Sequence, residues 1–182
     1  MNNTTIDPAT RASGPTRATR ASGPNPATGA APQSDSAPQA DRSPDYAIYK
    51  PNSRGSGGVI RFGLNKAKGA MFVDAANQSG EKQFDWESKF TMKWGLSDLG
   101  PVLATLQGRQ PQVKLFHQSE KANSAFELSL RDDPERAPYL MSISRQDAQD
   151  KSLRKVSIPI SHGEAAVLES ALRAAVGRLL RW

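Results

Sequence analysis

Basic and aromatic side chains are mixed along three short stretches of the chain, at residues 49–50, 61–62 and 82–94. Cationic side chains can hold the phosphates of a nucleic-acid backbone, and exposed aromatic rings can stack on unpaired bases, which contributes about 1–3 kcal/mol per base. Because every base has a flat face, such a surface tolerates many base sequences. The candidate binding residues are Tyr49, Lys50, Arg61, Phe62, Lys82, Phe84, Trp86, Lys89, Lys93 and Trp94. The three stretches therefore predict a surface for single-stranded nucleic acid.

The same residues also have a structural interpretation. Phe84, Trp86, Phe90 and Trp94 occupy alternate positions, which predicts that they share one face of a strand. An apolar strand face packs in the protein core by default. Each lysine taken alone is better explained as a solvated charge, and Asp85 is predicted to hold a turn or an arginine. Residue types alone therefore favour core packing over base stacking for this strand.

Composition narrows the possible function classes only a little. The chain has 24 Lys and Arg residues against 18 Asp and Glu residues, a net charge of +6, which suits a polyanionic partner but is common on solvated surfaces. The absence of cysteine excludes disulfides, thiolate metal sites and a cysteine nucleophile. No apolar run approaches the roughly 20 residues of a membrane-spanning helix, so no membrane partner is expected.

The sequence does not predict an enzyme. His117 and His162 are the only histidines, the first within a strand pattern and the second within a helix cap. No spacing of His, Asp and Glu is typical of a metal site. Asp132-Asp133 precedes a proline, which is typical of a loop. We therefore expect no catalytic residue, no metal and no cofactor.

The first 44 residues differ in composition from the rest. They contain no Phe, Tyr or Trp, so they cannot bury enough apolar surface to offset the entropy of ordering the chain. One hexapeptide occurs twice, at Thr10–Pro15 and Thr19–Pro24, which is typical of a low-complexity linker. Residues 1–44 are predicted to be a disordered tail, with loose phosphate contacts or an organelle transit peptide as alternatives. Residues 45–182 are predicted to form one domain.

Within that domain, short runs of β-branched and aromatic residues are separated by turn signals. The predicted strands are Tyr46–Lys50, Val59–Asn65, Ala70–Ala75, Lys82–Lys93, Val113–Gln118, Ala125–Arg131, Tyr139–Arg145 and Arg154–Ile160. One helix is predicted after an N-cap at Ser97, and another after the capping-box pattern from Ser161 to Glu164. This order predicts an α+β fold with a duplicated ββββα plan.

Six sequence motifs follow one another through the predicted domain. They are Asp45–Lys50, Gly69–Trp86, the basic Lys89, Leu96–Leu103, Leu115–His117 and Ile158–Ser161. In this order they resemble the Whirly family of single-stranded DNA-binding proteins. The longest motif, GAMFVDAANQSGEKQFDW, is similar without a gap to the family's aliphatic strand, turn and Gln-aromatic-Asp-Trp segment. The resemblance covers the domain and none of the tail.

The resemblance implies two antiparallel four-stranded sheets braced by two helices. It also implies a homotetramer that binds single-stranded DNA between neighbouring sheets with little sequence preference. Such a protein would protect or organise DNA in replication, repair or recombination. Related proteins of this fold bind guide RNA, so an RNA-binding or annealing factor is an alternative. An oligomeric scaffold that binds no nucleic acid is a third hypothesis.

The resemblance also refines the predicted site. Phe90 and one tryptophan are expected in the core, and Phe84 or Trp86 is expected to be the exposed platform. The family's Lys-Gly-Lys-Ala-Ala-Leu motif is missing, because a Gly- and Ser-rich loop follows Lys50. This loop is predicted to be mobile. Gly57–Phe62 is the preferred substitute for the motif and Lys66–Met71 is the alternative, and assembly beyond a tetramer is not expected. The predicted location is cytoplasmic or nucleoid-associated, with an organelle as the alternative.

Overall fold

The computed structural model describes residues 45–131 and 137–181, which form eight strands and two helices. The elements are β1 (Asp45–Lys50), β2 (Gly58–Asn65), β3 (Ala70–Asn77), β4 (Phe90–Trp94), α1 (Leu96–Leu106), β5 (Gln112–Gln118), β6 (Ala122–Leu130), β7 (Tyr139–Asp147), β8 (Leu153–Ile160) and α2 (His162–Leu179). Predictions about residues 1–44, Asp132-Asp133 and Trp182 concern positions outside the described residues.

The strands form two antiparallel sheets in which each strand pairs with its neighbours in the sequence. The first sheet has the order β1-β2-β3-β4 and the second has the order β5-β6-β7-β8. α1 follows the first sheet and α2 follows the second, so the predicted α+β fold with a duplicated ββββα plan is confirmed. Within the described residues, neither helix has the length and apolar character that a membrane-spanning helix needs.

The inward faces of both sheets and one side of each helix share an apolar core. Alternate side chains of β2 and β4 point inward, so Phe62 and Trp94 have exposed fractions of 1% and 0%. The ring centroid of Trp94 lies 5.8 Å from that of Phe62 and 4.6 Å from that of Phe126 in β6. This aromatic cluster joins the two sheets, and full burial of a large apolar side chain contributes about 1.5–3 kcal/mol.

The start of α1 differs from the prediction. The helix begins at Leu96 and its N-cap is Gly95, so the predicted cap at Ser97 is wrong. The carboxylate of Asp98 accepts a hydrogen bond from the Gly95 N–H at 2.8 Å and thereby satisfies a donor at the helix start. Asp98, in the first turn of the helix, supplies the capping carboxylate. The N-cap residue can therefore be a glycine.

The predicted strand from Lys82 to Lys93 is only partly correct. β4 contains Phe90–Trp94, while residues 86–88 form a bend and a turn. The carboxylate of Asp85 accepts a hydrogen bond from the Ser88 N–H at 3.0 Å, which confirms the predicted turn-holding role of this aspartate. The prediction was wrong because apolar and polar residues continue to alternate through the turn, so the pattern does not show where the strand begins.

The second sheet approaches the first closely where β8 meets β2. A Cβ atom added to Gly58 would lie 2.5 Å from Cγ1 of Val156 and 3.5 Å from Cγ2 of Ile158. Carbon atoms in ordinary contact are about 3.5–4.0 Å apart, so a side chain at residue 58 would require the Val156 side chain or β8 itself to move. The glycine therefore permits the close approach of these two strands.

We expect Gly58→Ala to lower the free energy of unfolding by about 1–3 kcal/mol, because the added methyl group overpacks against Val156. Gly63→Ala is the control in the same strand, since a Cβ atom there would lie 3.8 Å from the Cβ atom of Asp45. Urea unfolding followed by tryptophan fluorescence measures both variants. Equal unfolding free energies for the two variants would show that β8 adjusts without cost.

Candidate nucleic-acid interface

The face of the first sheet that points away from the core, called the outer face below, carries aromatic and charged side chains. Tyr49 lies on it in β1, Arg61 in β2 and Asp74 in β3, because these positions alternate with the inward ones. Arg61 and Asp74 are direct partners across the β2–β3 ladder. The segment 78–89, which connects β3 to β4, packs against this face.

Two contacts of aromatic rings hold the 78–89 segment on the outer face. The ring of Phe84 meets the ring of Tyr49 edge-on, with centroids 5.4 Å apart. The guanidinium of Arg61 lies over the ring of Trp86, 4.9 Å from its centroid. Tyr49 is 52% exposed, whereas Phe84 and Trp86 are half-buried. Solvent therefore reaches part of the aromatic surface that Tyr49 and Phe84 form.

Asp74 is the centre of a polar cluster on the outer face. Its carboxylate accepts hydrogen bonds from Arg61 at 2.6 Å, from Lys89 at 3.2 Å and from the hydroxyl of Thr91 at 2.5 Å. The guanidinium of Arg61 also lies 3.8 Å from the carboxylate of Asp45. Two cations thus face two carboxylates, and the cluster as a whole is close to neutral.

The pKa of Asp74 lies below its ordinary value. Burial acts in the opposite direction, because it disfavours the charged form of a carboxyl group. The hydrogen bonds from Arg61, Thr91 and Lys89 together outweigh burial. The hydrogen bond to Asp74 is also the main reason why the pKa of Arg61 is raised. Asp74 is therefore ionised at neutral pH, and both cations stay paired with it.

Lys50 is an anchor between β1 and α2. Its ammonium lies 2.7 Å from the carboxylate of Glu164, which also accepts the Ser161 N–H at 2.9 Å. Ser161 and Glu164 form the predicted capping box of α2, which is confirmed. Burial disfavours the charge of Glu164, but the hydrogen bonds from Lys50 and Ser161 outweigh it and lower the pKa of Glu164. Lys50 consequently fixes the end of β1 to the start of α2.

Phe62 and Trp94 are core residues, so the prediction that they bind nucleic acid is wrong. Adjacent residues of a strand point to opposite faces. Arg61 and Phe62 therefore cannot share a surface, although they are neighbours in the sequence. The expectation that Phe90 and one tryptophan lie in the core is confirmed, since Phe90 is 3% and Trp94 0% exposed.

Lys82 and Lys93 differ from the other candidate cations in their surroundings. Both are exposed, and neither forms an ion pair with another residue of the ranges 45–131 and 137–181. Lys82 lies in the 78–89 segment, and Lys93 lies on β4 opposite Phe72 of β3. Their charges can be offered to a polyanion without first breaking an internal contact, unlike the charge of Lys50.

Gln78 is missed by sequence reasoning, yet it holds the two loops beside the aromatic pair. Its side-chain oxygen accepts hydrogen bonds from the N–H of Asn52 at 2.9 Å and of Gly57 at 3.0 Å. Its amide nitrogen donates to the carbonyl of Gly80 at 2.7 Å. The β1–β2 loop, predicted to be mobile, is thus tied to the 78–89 segment by one buried side chain. A glutamine in a turn carries no sequence signal for such contacts.

The histidines lie apart from the outer face. Nε2 of His117 lies 3.0 Å from a carboxylate oxygen of Asp98, which links β5 to the first turn of α1. His162 is the first residue of α2 and is exposed. In the part of the chain that the structure describes, no three His, Asp or Glu side chains converge as a metal site would require.

Exposed aromatic rings beside basic side chains, as on the outer face, are the features with which proteins bind single-stranded nucleic acid. The model of the family described as Whirly transcription factor matches residues 58–171 of this chain. The chain therefore belongs to the Whirly family, as its sequence motifs predict. Members of this family are nucleic-acid-binding proteins and not enzymes, which confirms the expectation that the chain is not an enzyme.

Two curated relatives have related sequences. They are the single-stranded DNA-binding protein WHY1, chloroplastic, of Solanum tuberosum and the single-stranded DNA-binding protein WHY2, mitochondrial, of Arabidopsis thaliana. They are 24% and 22% identical to this chain over 120 residues, which cover 63% of this chain and 43% and 50% of the relatives. The chain thus spans about half the length of the curated relatives that it matches.

Solved structures share the fold. WHY1 from Arabidopsis thaliana superposes with a TM-score of 0.62 at 18% identity, over 79% of this chain and 88% of that chain. A guide-RNA-binding protein complex bound to a guide RNA superposes with a TM-score of 0.55 at 16% identity, over 75% of this chain and 91% of that chain. At these identities the likeness establishes the fold alone.

Asp74→Asn tests the polar cluster through its dependence on pH. Because the folded-state pKa of Asp74 is lowered, its charge stabilises the fold above the unfolded pKa of about 3.9 and loses this effect as the pH falls through the folded pKa. At neutral pH we expect the variant to lose about 1–3 kcal/mol of unfolding free energy, since Arg61 and Lys89 lose a charged partner. Urea unfolding from about pH 7 to about pH 2 should show this difference shrinking in acid.

Asp45→Asn is the control for this experiment. The Asp45 carboxylate is more exposed and lies farther from Arg61, so its loss should change the unfolding free energy by about 1 kcal/mol or less. A deficit of Asp74→Asn that stays the same across the acid range would contradict the role of the Asp74 charge.

Proposed function

We propose that this protein binds single-stranded DNA without catalysis and with little sequence preference, through the outer face. The observation that carries the proposal is the aromatic pair of Tyr49 and Phe84, with ring centroids 5.4 Å apart and Tyr49 52% exposed. Membership of a nucleic-acid-binding family supports the same partner. The residues proposed to contact DNA are Tyr49, Lys82, Phe84, Trp86, Lys89 and Lys93, with Lys50 and Arg61 positioning them.

The proposed contacts divide into stacking and charge. Unpaired bases stack on Tyr49 and Phe84, whose ring faces accept any base. The exposed ammonium groups of Lys82 and Lys93 hold backbone phosphates. Each phosphate neutralised on a single strand adds about 0.7 to the slope of log affinity against log salt concentration. Binding should therefore weaken steeply as salt is added.

Lys89 contacts the nucleic acid while it remains bound to Asp74, and Arg61 positions Trp86 from the same carboxylate. A phosphate that approaches from solvent meets two cations whose charge Asp74 already balances in part. Trp86 is covered on one side by Arg61, so it offers less free ring surface than Tyr49. We therefore assign these residues a smaller share of the binding energy than the exposed aromatic pair.

DNA is proposed over RNA because both curated relatives are named as single-stranded DNA-binding proteins. The shared fold with a guide-RNA-binding complex makes RNA the second candidate partner. A competition between oligo-dT and oligo-U of equal length decides between them. Preferential displacement of the labelled strand by oligo-U would replace the DNA assignment with RNA.

A homotetramer that protects or organises DNA during replication, repair or recombination is the proposed context. Apolar side chains exposed on the helices support self-association, since Leu96 in α1 is 41% exposed and Val167 in α2 is 51% exposed. The chloroplastic and mitochondrial relatives support the organelle location over the cytoplasmic or nucleoid-associated one. Light scattering with and without oligo-dT measures the mass of the assembly.

Tyr49→Ala together with Phe84→Ala tests the proposed stacking surface. Each lost stacking contact should weaken binding by roughly 5- to 150-fold, which corresponds to about 1–3 kcal/mol. Fluorescence anisotropy of a labelled oligo-dT at low salt measures the affinity, and urea unfolding shows whether the variant stays folded.

Phe116→Ala is the matched control, because Phe116 is an aromatic residue that is 64% exposed but lies in β5 of the second sheet. Its affinity should equal that of the wild type. Equal losses in the control and in the double variant would remove the outer face as the binding surface. A wild-type protein that shows no salt-sensitive binding of oligo-dT would end the proposed function itself, and the scaffold hypothesis would then take its place.

A further inference from the structure

Two arginines stand directly opposite each other in the second sheet. Arg145 of β7 and Arg154 of β8 are partners across the antiparallel ladder, so their side chains lie on the same face of the sheet. Like charges at such positions repel each other and destabilise a sheet. Neither sequence periodicity nor the family motifs draw attention to them, because the register of β7 and β8 brings them together.

Both arginines reach from the second sheet to the first. The guanidinium of Arg154 donates to the carbonyl of Ser88 at 2.9 Å and lies 5.7 Å from the ring centroid of Phe90. The guanidinium of Arg145 donates to the carbonyl of Thr91 at 3.5 Å. These carbonyls belong to the short stretch that contains Lys89. The two guanidinium groups therefore lie beside the basic end of the outer face.

The charge of the two arginines is only partly offset by nearby carboxylates. Among residues 45–131 and 137–181, neither guanidinium forms an ion pair with a carboxylate. The exposed carboxylate of Asp150, which accepts the Ser152 N–H at 2.8 Å, offsets the charge of Arg154 in part but does not form an ion pair with it. Carbonyl oxygens satisfy some of the guanidinium donors and leave the positive charge in place.

The pair is also accessible from solvent. Arg154 is exposed and Arg145 is half-buried, and a guanidinium carries five N–H donors, of which these contacts use only part. The planar arrangement of the remaining donors suits the oxygens of a phosphate group. The repulsion between the two charges would be relieved by two successive phosphates of one nucleic-acid backbone, each lying next to one arginine.

We propose that Arg145 and Arg154 form a second phosphate-binding site, which holds the backbone of a single-stranded nucleic acid where the strand leaves the outer face at Lys89. The proposal rests on the proposed function. It adds that the bound nucleic acid continues from the first sheet onto the second. The ligand class is the phosphodiester backbone, so this site contributes affinity and direction and no base preference.

The decisive test compares variants that remove charge with variants that keep it. Arg145→Gln/Arg154→Gln removes both charges, and Arg145→Lys/Arg154→Lys retains them. Arg109→Gln/Arg178→Gln is the control, because it removes two exposed arginines from the loop after α1 and from the last turn of α2. Anisotropy titrations of oligo-dT at several salt concentrations give the affinity and its salt slope for each protein.

The glutamine pair should lower the salt slope by about 1.4 and weaken binding by roughly tenfold for each lost contact at low salt. The lysine pair and the control pair should both keep the wild-type slope. A wild-type slope and affinity in the glutamine pair would overturn the proposal. If the unfolding temperature also fell, the arginines would serve only to stabilise the contact between the two sheets.

Failure of the proposed function and failure of the second site give different results. Absence of oligo-dT binding by the wild type would refute the proposed function, whereas normal wild-type binding with an unaffected glutamine pair would refute only the second site. Should the glutamine pair not fold, the exposed Arg154→Gln alone carries the test. It should lower the slope by about 0.7, and an unchanged slope would refute the site.

Discussion

A buried carboxylate requires positive charges and hydrogen-bond donors around it, and Asp74 imposes this requirement on the outer face. Desolvation alone would favour its neutral form, so Arg61, Lys89 and Thr91 must all remain in contact with it. These contacts fix the side chain of Arg61 over Trp86 and draw Lys89 onto the sheet. Through Arg61 and Lys89, Asp74 is one of the groups that hold the 78–89 segment on the outer face. The basic residues nearest the sheet are thus held in place by an internal anion, without the help of a ligand.

The fold was predictable because strong local signals agreed with each other. Short runs of β-branched and aromatic residues between turn signals located the strands, and the Ser161–Glu164 capping box located α2. Predictions of element boundaries failed where the sequence pattern continued unchanged past the end of a strand or helix. Alternation continues through the turn at Asp85, so the start of β4 was placed too early. The cap of α1 was misplaced because Asp98 supplies the capping carboxylate from within the helix.

The candidate site was only partly predictable, because sequence adjacency does not give spatial adjacency in a sheet. Phe62 follows Arg61 but faces the core, which period-2 alternation alone could have shown. Other relations need the three-dimensional structure. The carboxylate partner of Lys89 comes from β3, and the Arg145–Arg154 pair depends on the register of two strands that are joined by a turn. The residue types therefore indicated a basic and aromatic surface. Which of the candidate residues reach solvent depends on how the strands pair.

The hydrogen bonds of Gln78 connect the β1–β2 loop to the 78–89 segment, so that the two loops hold each other in place. One amide group bonds to both, so displacement of either loop strains the bonds to the other. Part of the entropy cost of ordering these loops is accordingly met when the chain folds. A ligand that touches Phe84 then meets a preorganised surface, and more of its contact energy appears as net affinity.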